Sequence, residues 1–428
     1  MKVLQARPKE PRQRRWLMRR GRLWGNPHFM KLWAGQSVSL LGDQVSLLAF
    51  PLIAVLTLHA SAFQTGALTA AAWAPSVIAP FVGAWVDGRP DRRRLMVGAD
   101  AGRCALVATV PAAAAFGVLT MAQLYAVAFA MGALSVVFDL ALSAYFLAMV
   151  EPGDIVEAQA KVSVSRSGAD IAGPGLAGAL VQLATAPFAV LADAVSFLAS
   201  AAFIARIRAQ ELPSGREGGA WRRIREGFSY TFEHPVLRAC LQCATTLNLF
   251  NFVLWGIVIL FATRTLGLSP GVIGATLSLA AVGAMIGSLT AERIGRRLGV
   301  GPAVLLGAVL FPVPSVLIPL AGGPHWLAAG MLGAAEFLAG VGVMYFDVNI
   351  GSLILVVTPQ RLRARSRGAF RSVNFGVRPI GALLGGLLGS LFGLRPTLFV
   401  AAAGASLAFV WLLFSPIPKI TELPDPAP

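Results

Sequence analysis

Gly83-Ala84-Trp85-Val86-Asp87-Gly88-Arg89-Pro90-Asp91-Arg92-Arg93-Arg94-Leu95 is a short, strongly charged stretch held between two long apolar ones. Residues 63–86 ahead of it and 95–119 behind it each approach the ~20 apolar residues that a bilayer-spanning helix needs. Two spans joined by so short a connection run antiparallel. The arginines of the turn also assign its side, because Lys and Arg in short loops accumulate on the cytoplasmic face.

The rest of the chain agrees with that assignment. Hydrophobic residues make up 56% of the 428 and charged residues only 13%, which excludes a soluble globular chain and indicates a polytopic membrane protein. The net charge of +16 would suggest nucleic acid if the basic residues formed a stripe on a soluble domain. They are dispersed instead over 2–31, the opening turn, Lys161 with Arg166, 206–238, 293–297, 361–371 and Lys419. The alternate connectors, around His59, Thr120, Thr185, Gly322 and Leu394, carry almost none besides Arg264 and Arg395. That alternation places both termini in the cytoplasm of a multi-pass protein of the inner (plasma) membrane, with anionic lipid rather than nucleic acid as the partner of its charge. Cys240 and Cys243 have C-x-x-C spacing but no second pair and no histidine partner, so no metal site is expected and the thiols read as buried spectators. Twin arginines at Arg14-Arg15 and Arg19-Arg20 precede a full span without a small-residue cleavage site, so no cleaved signal peptide is expected.

Apolar runs cover 32–56, 63–86, 95–119, 122–150, 162–184, 187–207, 236–263, 270–290, 300–321, 326–357, 368–392 and 396–414. The expected fold class is all-α integral membrane, with about twelve helices that satisfy their own backbone groups in lipid. The expected units are a basic cytoplasmic segment (1–31), a six-helix half (32–207), a cytoplasmic linker (208–235), a second six-helix half (236–414) and a cytoplasmic tail (415–428). Trp221, Ile224, Phe228 and Phe232 recur at helical spacing among arginines, a pattern suited to an amphipathic helix on the inner membrane surface. An internal repeat supports the two halves. Arg166-Ser167 with Pro174 returns as Arg371-Ser372 with Pro379, 205 residues later, and Gly83 with the arginine run returns at Gly287 with Arg296-Arg297.

At these residues the chain resembles a known family. Gly83-x-Trp85-Val86-Asp87 with its arginines resembles the signature loop between the second and third helices of the major facilitator superfamily, and 168–178, with Gly173-Pro174 and Ala177-Gly178, resembles that superfamily's antiporter motif. Gly42-Asp43, Asp193-Ala194-Val195-Ser196-Phe197, Gly227-Phe228 and His234-Pro235-Val236-Leu237-Arg238 are similar to its bacterial drug, macrolide and siderophore exporters. The resemblance implies two pseudo-symmetric halves rocking about a midplane site, a conformational latch at Gly83, Asp87, Arg92 and Arg93 with Glu292 and Arg296 in the second copy, and an antiporter helix carrying Gly173, Pro174 and Gly178. The chain departs from the pattern at the extra Gly88-Arg89 step, and at Ala291 and Glu292 where the second copy of Asp87 would fall. The resemblance also implies a central cavity walled by the first, fourth, seventh and tenth spans. Those offer Gln36, Gln44, Phe138, Asn248, Asn251, Trp255 and Tyr345, together with Phe50, Tyr145, Phe252 and Asn349. Such walls suit a bulky amphipathic compound, cationic ones included, better than a sugar.

No lysine follows a glycine, so there is no Walker A loop, and transport must draw on an ion gradient or a separate ATPase. Ionisable residues inside spans are costly and therefore point to function. At 1.5 Å per residue, Asp43 and Glu336 each lie about ten residues into a span, near the midplane, where loss of water favours a protonated carboxyl. Asp43 and Glu336, then Asp347, are the proton-coupling candidates, with Arg378 on the next helix as the expected partner of either of the last two. Asp100, Arg103, Asp139, Asp170 and Asp193 read as structural. The resulting expectation is a secondary transporter, not an enzyme and without a cofactor, that works as a monomer. It exchanges protons for drugs or antibiotics in multidrug efflux; export of an endogenous siderophore or secondary metabolite, or a transport-dead scaffold, are the alternatives.

Overall fold

The computed structural model describes residues 22–151, 153–207 and 220–422. Most of the expected basic N-terminal segment, the linker residues 208–219 and the end of the tail lie outside the described residues. Helix α1 is Pro27–Leu52, prolonged by a π-turn Ile53–Thr57. Helix α2 is Ala62–Trp73, continued through a 3-10 segment Ala74–Ile78 into Ala79–Asp87. Then follow α3 Arg92–Ala115, α4 Met121–Met149, α5 Ile155–Ala184 and α6 Leu191–Ala205. Helix α7, Ala220–Glu233, precedes α8, Pro235–Trp255, which runs on into a second π-turn Phe261–Thr265. The second bundle is completed by α9 Pro270–Leu298, α10 Val300–Leu310 with its continuation Leu317–Leu320, α11 His325–Val357, α12 Arg363–Phe392 and α13 Leu394–Ser406 with Val410–Leu413. No strand occurs among the described residues.

Eleven of these helices are long and apolar enough to cross a membrane. The remaining long helix, α5, carries Glu157, Lys161, Arg166 and Asp170 and is held against α1 by a polar ladder. Trp33 Nε1 donates to the Lys161 carbonyl (3.2 Å), Ser37 Oγ to Ser165 Oγ (2.8 Å) and Gln44 Nε2 to Asp170 Oδ1 (2.6 Å). Side-chain partners of this kind are what allow a polar helix to lie inside an apolar bundle.

Two element boundaries differ from the apolar runs for local reasons. Helix α1 begins at Pro27, five residues before Leu32, because Asn26 Oδ1 accepts from the N–H groups of His28 and Phe29 and proline pre-sets the first turn. Helix α9 runs to Leu298 rather than 290, so Glu292, Arg296 and Arg297 form its last turns and no charged loop. Arginines there complement the negative end of the helix dipole.

The halves repeat at the level of the backbone. A π-turn is rare, yet both α1 and α8 end in one, 208 residues apart. Left-handed backbone recurs at matching corners, His59 with Gly267, Gly117 with Gly323, and Thr185 with Gly393. All these corners lie at the end of the bundle opposite the arginine-rich turn.

At that same end the halves touch along two seams, α2 against α12 and α5 against α9. A Cβ on Gly66 would collide with the Ala382 carbonyl, and one on Gly274 with the Pro174 carbonyl, so the missing side chains set the approach. Phe63 N–H donates to Ser390 Oγ (3.0 Å) and Gly175 N–H to Ser278 Oγ (3.0 Å), one hydrogen bond across each seam. Toward the arginine-rich end the halves separate around cavities.

Helix α7 packs on the start of α12, where Gly227 leaves room for the Arg365 backbone. Glu226 pairs with Arg365, Thr231 Oγ1 meets Ser366 Oγ (3.0 Å), and Tyr230 Oη donates to the Val357 carbonyl (3.1 Å). Burial pushes the Tyr230 phenol up and the His234 imidazole down from their ordinary values. A neutral His234 at the N-terminus of α8 spares that helix a cation at its positive end.

Candidate functional site

Two cavities lie side by side and share Leu47 of α1. The larger, about 1090 Å³, is walled chiefly by α1, α2 and α4 of the first half and by the start of α12, with Arg103 of α3, Arg166 of α5 and Phe228 of α7 reaching it. The smaller, about 530 Å³, lies between α1 and α5 on one side and α8 to α11 on the other.

Asp43 lines the larger cavity, and behind it stands a polar cluster built by four helices. Arg103 of α3 is 3% exposed. Its guanidinium lies between the rings of Phe138 (4.5 Å) and Phe197 (4.3 Å), pairs with Asp100 and approaches Asp43 Oδ1 at 4.0 Å. Ser135 Oγ accepts from it at 3.4 Å. Asp193 of α6, fully buried, accepts from Ser46 Oγ of α1 and from Ser196 Oγ (3.1 Å). Gly42 makes this possible, since a Cβ there would collide with Ser196 and Asp193. Asp139 of α4 completes the wall. Asp100 and Asp193 are fully buried, met by the Arg103 guanidinium and by serine hydroxyls respectively, whereas Asp43 and Asp139 face the cavity.

Asp43 lines the larger cavity, and the structure gives it neighbours that sequence reasoning set aside as structural: Arg103, Asp100, Asp139 and Asp193. A usable signal was the three-residue spacing of Asp100 and Arg103, which puts both on one helix face. Glu336 is on another wall. It lines the smaller cavity with Asn251, Trp255 and Gln44, and no ion pair reaches it among the described residues. Asp347 is exposed on the same face of α11, three turns on. The expected pairing of these acids with Arg378 is replaced by another arrangement. Arg378 Nε donates to Asn248 Oδ1 (3.1 Å), and its guanidinium faces Trp73 (4.4 Å), Phe252 (5.0 Å) and Phe375 (4.0 Å). Trp73 belongs to the first half, so this aromatic cage bridges the two bundles.

The expected cavity walls are only partly walls. Gln36 and Phe50 line the larger cavity, and Gln44, Asn251 and Trp255 the smaller. Phe138 and Tyr145 are 1% exposed in the first-half core, a correction to their placement on the wall. Tyr345 meets Thr290 Oγ1 (3.0 Å) across α9 and α11, and Asn349 Nδ2 donates to the Tyr345 carbonyl (2.8 Å). Aromatic and amide side chains in these helices serve packing as often as lining.

At the signature turn, Gly83 lies against Leu140 and the larger cavity. Arg93 caps the end of α6 through the Ile207 and Ala205 carbonyls, and Arg94 pairs with Asp91 at 2.9 Å. Arg92 is buried. The side chain of Asp87 lies outside the described residues. Glu292 and Arg296 form an exposed local pair at 3.2 Å on α9. Gly173, Pro174 and Gly178 lie where α5 meets its neighbours, Gly173 against Gln44 of α1, and Pro174 and Gly178 against α9. The three cysteines are free thiols, and no cluster of metal-ligating side chains occurs among the described residues.

The profile of the Major Facilitator Superfamily matches residues 32–375. A multidrug efflux pump Tap of Mycobacterium tuberculosis (strain ATCC 25618 / H37Rv) is 27% identical over 436 residues, covering 94% of this chain and 96% of the pump. An uncharacterized MFS-type transporter YfiS of Bacillus subtilis (strain 168) is 25% identical over 406 residues, covering 92% of this chain and 94% of that one. Among solved structures, the nucleoside transporter NupG superposes with a TM-score of 0.72 at 12% identity, over 90% of this chain and 98% of that one. A bacterial homologue of the iron transporter ferroportin in its inward-facing state gives 0.71 at 17% identity, over 90% and 97%. These structures share the fold.

Proposed function

The chain belongs to the major facilitator superfamily and is a transporter rather than an enzyme, and from that premise we propose that it exports bulky amphipathic compounds in exchange for protons. The observation that carries the reading is the cluster around Arg103. Asp43 faces the larger cavity, 4.0 Å from a guanidinium that already holds Asp100. A proton on Asp43 cancels its attraction to Arg103, and a substrate or a conformational change that brings the two together expels it. A carboxyl that trades a proton for a cation in this way links occupancy of the cavity to the gradient.

The arginine-rich end is the cytoplasmic one in this reading, by the charge distribution of the loops. The structure then corresponds to an inward-open state, closed by the two glycine seams on the far side and open where substrate enters from the cell. Rocking of the halves about the seams closes the arginine-rich end, with Asp87 as the latch. Similarity to a multidrug efflux pump over nearly the full chain supports drugs as the substrate class.

The test is efflux of a fluorescent drug analogue from everted vesicles, with and without collapse of the pH gradient, for the parent and Asp43→Asn. Gradient-dependent efflux that is lost in the variant is expected. Efflux that ignores the gradient, or a variant that pumps like the parent, removes proton coupling at Asp43.

A further inference from the structure

The larger cavity is far from neutral. Its described walls carry two carboxyls, Asp43 and Asp139, against six arginines, of which Arg103 belongs to the buried cluster. The other five, Arg166, Arg361, Arg365, Arg367 and Arg371, come from α5, from the turn before α12 and from the first turns of α12 itself. Of these, only Arg365 has a carboxylate partner among the described ion pairs, Glu226 of α7. Arg166, Arg361, Arg367 and Arg371 are exposed on the cavity surface. Arg371 lies over the Phe375 ring at 5.1 Å, and Arg166 and Arg371, from opposite halves, line the same cavity as Asp139.

Loop arginines assign topology, but topology asks only that they lie on one side of the membrane, not that two halves aim them into one space. A low-dielectric funnel lined with one sign of charge focuses its field and raises the local concentration of the opposite ion. A lipophilic cation entering through this mouth meets repulsion, whereas an anion meets guanidinium groups that bind carboxylate and phosphate oxygens in pairs. The apolar and aromatic remainder of the wall, with Phe50, Trp73 and Phe375, suits an apolar body.

We propose that the mouth of the larger cavity is a binding subsite for an anionic group, and that the compounds this cavity accepts are amphiphilic anions carrying a carboxylate or phosphate. The inference rests on the export reading of this cavity and narrows its substrate class. The acid is held by Arg166, Arg361, Arg367 and Arg371 while the apolar body extends toward Trp73, and Asp43 and Asp139 stay at the floor for protons.

The experiment uses the full-length protein in detergent and two dyes of similar framework and opposite charge, carboxyfluorescein and rhodamine 6G, with binding followed by fluorescence polarisation. Carboxyfluorescein is expected to bind the tighter, to weaken steeply with salt, and to lose about tenfold in affinity in Arg371→Gln and again in Arg166→Gln, one charge-assisted contact each. Arg371→Lys keeps the charge and is expected to retain most of the binding, which separates lost charge from lost folding. Tighter rhodamine binding, equal binding of both dyes, no saturable carboxyfluorescein binding, or glutamine variants that match the parent each overturn the proposal. In vesicles, competition by phosphatidylglycerol identifies a lipid headgroup as the anion, and its absence a soluble one; both support the subsite. Gradient-driven efflux of rhodamine alone overturns the anionic subsite and leaves proton-coupled export standing. Gradient-independent movement of carboxyfluorescein with intact arginine dependence does the reverse.

Discussion

The contact between the first and last helices of each half is made twice in this protein, with the sizes exchanged. In the first half Gly42 of α1 faces Ser196 of α6, and the space left by the glycine admits the Asp193 carboxyl beside Asp43. In the second half, 208 residues on by the spacing of the π-turns, Phe250 of α8 faces Gly404 of α13, and Asn251 stands where Asp43 does. One seam is polar and ionisable, the other apolar and filled. Acids and a cation therefore gather in the first half, whereas Glu336, Asp347 and Arg378 of the second stand apart. A duplicated backbone differentiates through such exchanges: at this seam the first half holds ionisable groups and the second an apolar contact.

The largest expected effect breaks this asymmetry at its centre. Asp43→Asn is expected to lower gradient-driven efflux by more than about tenfold, and Glu336→Gln by less, since loss of a positioned proton carrier costs one to several decades. Initial rates in everted vesicles rank the two, and a greater loss in Glu336→Gln would move the coupling site to the second half.

Next is Arg103→Met. Removing the cation of a buried pair is expected to cost about 3–5 kcal/mol, because Asp100 loses its partner in an apolar core. Thermal unfolding in detergent checks this, and Arg103→Met/Asp100→Leu is expected to recover much of the loss. A double variant no more stable than the single would mean that the pair does not hold the cluster together.

Smaller and confined to transport is the comparison of the two signature copies. Asp87→Asn is expected to impair transport more than Glu292→Gln, whose residue forms only an exposed local pair with Arg296. Exposed pairs contribute about 0–1 kcal/mol. Equal losses in efflux would refute the ranking.

The smallest effect sharpens the backbone comparison. Thr185 has φ 64 where its counterpart Gly393 has φ 89. Thr185→Gly is expected to stabilise by about 1 kcal/mol, because a β-branched residue is strained in that region and glycine is not. No rise in unfolding temperature would mean that the corner is held by contacts of Thr185 itself.

The membrane class, the spans and the repeat were legible from residues alone, since each depends on local composition and spacing. Helix ends were less so. Asn26 moved α1 outward through a side-chain cap, and α9 absorbed the arginines expected in a loop. Spacing along a span singled out Asp43, but which residues it meets depends on helix rotation and on neighbours from α3, α4 and α6. The same limit explains Phe138, which occupies a position on an expected wall helix and turns its ring to Arg103 instead.

By itself the sequence determined that the chain spans a membrane many times, that arginines gather at one end, and that the two halves are copies. These follow from hydrophobic transfer, which acts on each segment independently. Only the tertiary structure decided which end is closed, that Arg103 approaches Asp43 while Arg378 is held by Asn248 and aromatic rings rather than by Glu336 or Asp347, and that five loop and helix arginines converge on one cavity. Those are consequences of how rigid helices approach one another, and approach is governed by single missing side chains such as Gly42, Gly66 and Gly274.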